Sequence, residues 1–254
     1  MEITVKINGK AYTIDSNHPL DISIPVQFDG NGITAFGAEP AQREAFHTED
    51  FTGDTRKGGS CNCELYTLSP HLHGTHTECV GHITDERIAV HDVMKNGFIP
   101  TTLITITPEP PSESYDPAPH NEDVMITRAT IEKALRVTPG FTEGLIIRTH
   151  YKDQPPYFSH EAMQYINDLD VQHLLVDMPS VDRLNDDGKL SNHRIFWGLA
   201  PGIKTAAPPS PKTITELIKV PDSLADGTYV MNLQIAPFMC DAAPSRPILY
   251  EVKP

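Results

Sequence analysis

The order of hydrophobic and polar residues predicts many short strands and two helices. Polar and apolar residues alternate over 2–14, and the interruption at Asn8-Gly9 predicts a β-hairpin. Branched and apolar residues predict further strands at 21–26, 63–68 and 101–106. The other predicted elements are a helix over 128–136, a buried strand at 144–149, a helix from the Ser159 cap to about 168, a buried strand at 173–177, and strands at 228–235 and 247–252.

Three segments lack this periodicity and are predicted to be loops: 28–60, 107–123 and 200–212, which are rich in Gly, Pro, Thr or charged residues. Between 144 and 177 the order is strand, helix, strand, and both strands are continuous apolar runs. This order indicates a βαβ unit with parallel pairing. The 254-residue length fits one large α/β or β-rich domain as well as two small ones. A single α/β domain over 1–254 is the arrangement we expect.

Composition and charge narrow the possible functions. The chain is 39% hydrophobic and 21% charged, which is typical of a globular protein, and its formal net charge is −14. No run of Lys and Arg exists that could bind a phosphate backbone or an anionic membrane surface. We therefore expect neither a nucleic acid nor a membrane as a partner. No apolar run could span a bilayer. Residues 1–7 lack the pattern of a signal peptide, so a cytoplasmic location is expected.

The four cysteines are too few for a disulfide scaffold in a chain of this length. Cys61 and Cys63 flank one residue and would lie on the same side of a strand. Reduced free thiols are the simpler interpretation, and a Cys-x-Cys metal pair is the alternative.

Histidines concentrate in one segment of the chain. The protein has 12 histidines in total, and residues 71–91 contain five of them: His71, His73, His76, His82 and His91. Glu78 lies among them, and on an extended segment His76 and Glu78 would point to the same face. Imidazole and carboxylate groups are the ligands that zinc and manganese accept. The segment therefore predicts a divalent metal site.

The segment Ser69-Pro70-His71-Leu72-His73-Gly74-Thr75-His76-Thr77-Glu78 resembles the signature His-x-Gly-Thr-His-x-Asp-x-Pro-x-His of the cyclase family. That family includes bacterial kynurenine formamidase and isatin hydrolase, which are metal-dependent amide hydrolases. The resemblance continues downstream, in segments that look like further family motifs: Pro-Tyr-Phe-Ser-His-Glu-Ala at 156–162, Asp-Met-Pro-Ser-Val-Asp at 177–182, Asn-His-Arg at 192–194 and Ile-Thr-Glu-Leu at 214–217.

The resemblance implies a role for each matching residue. His82 corresponds to the acid/base of the family, and Glu78 stands where the family has a bridging aspartate. The implied metal ligands are His71, His76, Glu78, His193 and Glu216. His73 is the alternative to His71 as first ligand, and we favour His71 because it follows Ser-Pro as the family histidine does. The implied cofactor is zinc or manganese, with one or two ions per chain.

The resemblance also implies a fold and an activity. The expected fold has a mixed, barrel-like β core with outer helices, similar to the swivelling β/β/α fold of the family. The expected activity is hydrolysis of an amide bond in a small molecule, an N-formyl arylamine or a cyclic amide or imide, by metal-activated water. A metal-binding relative without turnover, and a lactone hydrolase or dehydratase, are the alternatives. Relatives are oligomers, so a homodimer or homotetramer is expected.

Two aspartates and three aromatic residues remain to be assigned. Asp177 and Asp182 follow the strand at 173–177, and loops at this end of a strand often build sites, although a hydrogen-bonded turn explains them equally well. Trp197 is expected in the core. Phe36 and Phe51 precede the histidines and are candidates to face a pocket, without a spacing argument.

Overall fold

The computed structural model describes residues 1–253 and consists mainly of short strands. The strands are β1 (Glu2–Ile7), β2 (Lys10–Asp15), β3 (Leu20–Asp21), β4 (Gln42–Ala45), β5 (Glu64–Thr67), β6 (His76–Glu78), β7 (Phe98–Thr105), β8 (Met125–Ile126), β9 (Gly144–Arg148), β10 (Tyr157–Phe158), β11 (His173–Val176), β12 (Thr213–Glu216), β13 (Gly227–Asn232), β14 (Ala242–Pro244) and β15 (Ile248–Glu251). The helices are α1 (Val90–Val93), α2 (Arg128–Ala134), α3 (His160–Asp168) and α4 (Ser191–Trp197).

Nine of these strands form one mixed, curled half-barrel sheet in the order β14-β6-β12-β11-β9-β7-β13-β15-β3. The four central strands, β12, β11, β9 and β7, run parallel to one another, and the outer strands pair antiparallel. The β9-α3-β11 unit is the predicted βαβ unit. The prediction of an α/β domain with a barrel-like β core is therefore confirmed.

Hydrophobic side chains cover both faces of the sheet. Along β9, Leu145 and Ile147 pack with helices α2, α3 and α4, while Ile146 points into a second core on the inner side of the curl. The same alternation holds along β11, where Leu174 and Val176 face the helices and Leu175 faces inward. Because both faces are buried, these strands are continuous apolar runs.

Most of the predicted elements are present. The hairpin, the strands at 63–68, 101–106, 144–149, 173–177, 228–235 and 247–252, and both helices are confirmed to within a few residues. Ser159 caps α3, since its Oγ accepts a hydrogen bond from Ala162 N at 3.0 Å. None of the helices within residues 1–253 is long and apolar enough to cross a membrane.

Two predictions for the first sixty residues are wrong in part. The strand predicted at 21–26 ends at Asp21, and only Ser23 adds an isolated bridge, to Ile218. Ile24 N donates to the Thr75 hydroxyl at 2.7 Å rather than to a strand carbonyl, and Pro25 has no N–H to continue a ladder beyond it. The loop predicted at 28–60 contains β4, which pairs with β5, and a 3-10 turn at Thr55–Lys57.

Candidate metal centre

The strand β6 carries His76 and Glu78, and its pairing with β12 places Glu216 directly opposite His76. His76 Nε2 lies 3.5 Å from Glu216 Oε2. His76 and Glu78 are fully buried, and Glu216 is 4% exposed. The next pair of facing residues, Thr77 and Thr215, points to the other side and joins the strands through a 2.8 Å hydroxyl hydrogen bond. The alternation of β6 therefore sends both predicted ligands to one face.

Glu78 lies at the centre of the cluster. Its Oε1 accepts a hydrogen bond from His193 Nε2 at 3.0 Å, and its Oε2 lies 3.0 Å from His71 Nδ1 and 3.9 Å from His82 Nε2. Burial raises the pKa of Glu78, but His82 and His193 outweigh burial and hold that pKa well below its usual value. Glu78 is therefore an ionised carboxylate enclosed by three imidazoles.

His71 and His73 have different surroundings. His71 follows Pro70 in a 3-10 turn and faces Glu78. In contrast, both ring nitrogens of His73 are occupied by the main chain, Nδ1 by Ser69 and Nε2 by the Glu39 carbonyl at 2.9 Å. The structure therefore brings His71, and not His73, to the cluster.

His193 enters the cluster from α4. The helix begins after Leu190, which has a left-handed backbone and provides no side-chain cap. Asp182 supplies the cap from the loop after β11, accepting hydrogen bonds from Asn192 N at 2.8 Å and His193 N at 3.2 Å. The same carboxylate accepts from His193 Nδ1 at 2.5 Å and from Tyr115 Oη at 2.8 Å. Asp182 thus starts the helix and orients the ring, so that Nε2 points to Glu78.

Asp241 is a member of the cluster that the sequence analysis missed. Its Oδ2 accepts hydrogen bonds from His71 Nε2 at 2.8 Å and from His82 Nδ1 at 3.3 Å. These two bonds hold the pKa of Asp241 well below its usual value. Burial lowers the pKa of His71, but the carboxylates of Asp241 and Glu78 outweigh it and raise that pKa to about 10. Asp241 is an isolated acidic residue far along the chain, so no local spacing signals its role.

Two polar atoms of the cluster lack hydrogen-bond partners. Within residues 1–253, His76 Nε2 and Glu78 Oε2 are two of the four buried side-chain polar atoms without one, and the approach of His71 Nδ1 to Glu78 lacks hydrogen-bond geometry. An unpaired buried polar atom costs about 1–3 kcal/mol. Three sets of ligand atoms lie within 4.8 Å of one another: His71 with His76 and Glu78, Glu78 with His82 and His193, and His71 with His82 and Asp241. The donors fit a divalent cation.

A cavity of about 290 Å³ opens onto the cluster and is lined by His71, His82, His193 and Glu216. Its remaining walls combine five apolar residues, Phe36, Leu72, Pro179, Leu184 and Leu190, with five polar or charged ones, Ser69, Ser180, Asp182, Arg183 and Asp186. A larger cavity of about 740 Å³ next to Ile24 and Ile235 contains none of the histidines, and a cavity of about 530 Å³ reaches only His82 and Asp241 of the cluster. The smaller cavity reaches four members of the cluster and is therefore the candidate for the reaction.

The remaining candidates divide between the site and the scaffold. Phe36 lines the cavity, whereas Phe51 packs against Phe46 away from it. Asp177 accepts hydrogen bonds from the main chain and hydroxyl of Thr149 and does not reach the cluster. Trp197 lies in the core, as predicted. The four cysteines are free, and none joins a metal-ligand group within residues 1–253.

Solved structures share this architecture. A "potential metal-dependent hydrolase with cyclase activity" superposes with a TM-score of 0.64 at 15% identity, covering 93% of this chain and 99% of that one. Isatin hydrolase A from Labrenzia aggregata, bound to benzyl benzoate, gives a TM-score of 0.63 at 13% identity, covering 93% and 94%. Isatin hydrolase A from Ralstonia solanacearum gives 0.56 at 15%, covering 92% and 91%. At these identities the likeness establishes the fold.

Sequence comparison assigns the family. None of the curated proteins compared with the chain matches it. The family model for cyclases, in contrast, matches residues 14–183, well over half of the chain, and includes the segment with His71, His76, Glu78 and His82. His193, Glu216 and Asp241 lie beyond that match and reach the cluster through the fold. The chain therefore belongs to the cyclase family.

Proposed function

We propose that the protein is a metal-dependent hydrolase that cleaves an amide bond in a small molecule, an N-formyl arylamine or a cyclic amide or imide. The observation that carries the proposal is the pair of unpartnered buried atoms, His76 Nε2 and Glu78 Oε2, at the centre of a cluster of imidazoles and carboxylates. Burying such atoms without partners is costly, and a cation between them would satisfy both. The isatin hydrolase neighbours, by their names, act on a cyclic amide and support the reaction class.

The donor atoms divide into two sets around Glu78. His71 Nδ1, His76 Nε2 and Glu78 would hold one ion, and His193 Nε2 with Glu78 and Glu216 would hold a second. Zinc and manganese both accept such sets. When bound, the metal supplies Lewis acidity, which makes water more acidic and polarises a carbonyl group. Asp182 orients His193 and fixes the nitrogen that it presents.

His82 is the residue we propose as the acid/base. Its side chain is 28% exposed, it lines the cavity, and it lies nearer to solvent than His76 or His193. In amide hydrolysis the water oxygen bonds to the carbonyl carbon while His82 Nε2 takes the water proton. The C–N bond then breaks, and the same proton passes from His82 to the leaving nitrogen. A neutral imidazole can accept a proton and its protonated form can return it, which suits both transfers.

The cavity limits the substrate to a small molecule. A volume of about 290 Å³ with Phe36, Leu72 and Leu184 in its walls suits a compact, largely apolar group beside the reacting bond. The same groups could open a lactone, since water addition and proton return are identical for an ester oxygen. Comparing an N-formyl arylamine, a cyclic imide and a lactone of similar size distinguishes these activities.

The test begins with metal content per chain. Purified protein is assayed by plasma mass spectrometry, then stripped with a chelator and reloaded with zinc or manganese. We expect one or two ions per chain, a loss of binding in His76→Ala, and unchanged binding in the control His18→Ala, an exposed histidine that pairs only with Asp15. Turnover of the amide panel should follow the metal. Protein that retains no ion under any loading, or that is inert across the panel when loaded, would contradict the proposal.

A further inference from the structure

We propose that Asp241 is a positioning residue that sets the tautomers of His71 and His82 together, through a single carboxylate oxygen. The inference rests on the proposed function, because it concerns how the proposed ligand and the proposed acid/base are prepared. Nothing in the family signature near His71 requires this residue, which lies 170 positions from His71 and 159 from His82.

The two imidazoles lie side by side between two carboxylates. Their ring centroids are 4.3 Å apart, with an angle of 31° between the planes. On one side Asp241 Oδ2 contacts His71 Nε2 and His82 Nδ1. On the other side Glu78 Oε2 faces His71 Nδ1 at 3.0 Å and His82 Nε2 at 3.9 Å. Each ring therefore has one nitrogen on Asp241 and the other toward Glu78.

This arrangement decides where the ring protons lie. A neutral imidazole has one N–H and one lone pair, and an ionised carboxylate can only accept. Asp241 therefore favours a proton on His71 Nε2 and on His82 Nδ1. When His71 is neutral, as a metal ligand must be, its lone pair is therefore on Nδ1, and the lone pair of neutral His82 is on Nε2. These are the two nitrogens that face Glu78. A metal ligand and a general base both need a free lone pair in this direction.

The main chain holds Asp241 in place independently of the histidines. The Asp241 carbonyl accepts a hydrogen bond from Cys79 N at 3.0 Å, and the Cys240 carbonyl accepts one from Val90 N at 2.9 Å. The following strand β14 pairs with β6, with Ala242 opposite Glu78. The carboxylate is thus fixed to the strand that carries Glu78. Within residues 1–253 Asp241 makes ion pairs with the two histidines and with no Lys or Arg.

Because Asp241 Oδ2 bonds both rings, it affects metal binding through His71 and proton transfer through His82. Removing it should weaken metal binding and slow the reaction in the same variant. This outcome differs from that of His82→Ala, which should remove the base and leave the metal. Asp241→Asn keeps an acceptor oxygen and loses the charge, so it should retain the tautomers and more of the activity than Asp241→Ala.

The experiment compares zinc-loaded wild-type protein with Asp241→Ala, Asp241→Asn and Asp85→Asn. Asp85 is the matched control, because it lines the cavity of about 530 Å³ next to Asp241 and makes no hydrogen bond to either histidine within residues 1–253. Zinc affinity is measured by competition with a chelator, kcat and KM are measured on the best amide substrate, and the histidine tautomers are read from ¹⁵N NMR of imidazole-labelled protein. Circular dichroism checks that each variant is folded.

We expect the Nδ1–H tautomer for His82 in the wild type and a mixture of tautomers in Asp241→Ala. Zinc affinity in that variant should fall about 10- to 100-fold, as for other residues that orient a metal ligand, and kcat should fall at least as far. KM should change little, and Asp85→Asn should match the wild type.

An Asp241→Ala protein that keeps the wild-type zinc affinity and a pure Nδ1–H tautomer of His82 would overturn the inference and leave the proposed function intact. If Asp241→Ala does not fold, an Asp241→Asn protein whose tautomers are inverted would overturn it equally. Wild-type protein that neither binds zinc nor hydrolyses any substrate would overturn the proposed function, and the inference with it.

Discussion

Replacing Asp182 with asparagine tests how α4 delivers His193 to the cluster. Asp182 is 2% exposed, and its Oδ2 accepts from both His193 N and His193 Nδ1. Its Oδ1 accepts from Asn192 N and Tyr115 Oη. Asparagine can retain the second pair of bonds with its carbonyl oxygen. Its NH₂ group then points at two donors of His193.

The size of the effect follows from these contacts. A hydrogen bond to a buried charged group contributes about 1.5–3 kcal/mol, and the variant loses two of them. Without a cation His193 donates from both ring nitrogens. In the variant the ring can recover one bond if Nδ1 loses its proton and becomes an acceptor, which leaves the remaining proton on Nε2, the nitrogen that an ion needs. We therefore expect the free energy of unfolding to fall by about 2–4 kcal/mol. The Nε2 proton would then face Glu78 and Glu216, so the proposed second ion should bind about 10- to 100-fold more weakly.

The assay pairs urea unfolding of the metal-free protein with metal content per chain after reloading. Asp177→Asn is the control: it removes a half-buried carboxylate of the same loop that bonds Thr149 and does not touch the cluster. The control should lose stability and keep its metal. An Asp182→Asn protein that is as stable as the wild type within about 0.5 kcal/mol, or that binds as many ions with equal affinity, would show that Asp182 does not position His193.

Three further predictions address the base, the buried histidine and the core. His82→Ala should keep its metal content and lose turnover by about 100-fold or more, measured by mass spectrometry and initial rates; retained turnover would exclude His82 as the acid/base. Burial lowers the pKa of His173 to about 4. Below pH 6.5 the unfolded chain therefore binds a proton on this ring that the folded protein does not, and stability is lost as the pH falls from 6.5 toward 4. Urea titrations should show that the wild type loses roughly 2 kcal/mol more than His173→Gln between pH 7 and pH 5; equal losses would contradict this. Leu175→Ala, at a fully buried position of the inner core, should lower the free energy of unfolding by about 2–5 kcal/mol, whereas the exposed Leu65→Ala should change it little.

Local patterns predicted the parts of the fold that local physics determines. The hairpin depends on alternation around Asn8-Gly9, and α3 depends on the Ser159 cap followed by an amphipathic run. The sequence also placed His76 and Glu78 on one face of an extended segment, because side-chain direction in a strand alternates whatever lies beside it.

The parts that could not be predicted depend on long-range pairing. Helix α4 has seven residues, and its cap comes from Asp182 rather than from Leu190 before it, so no local start signal exists. Asp241 reaches the histidines because β14 pairs with β6. His71 could not be separated from His73 by residue type, since the difference is that main-chain groups occupy both nitrogens of His73.

The position of β6 between β12 and β14 has a consequence for folding. Thr77 and Thr215, which join β6 to β12, are 138 residues apart, so the cluster forms only when distant parts of the chain have met. An unfolded chain offers these donors singly, and a cation gains its full coordination only from the native sheet. Each bound ion would therefore link the segment around His76 to the distant segments around His193 and Glu216. Its binding free energy would stabilise the native state alone. Metal supply would then govern the lifetime of the folded protein as well as its chemistry.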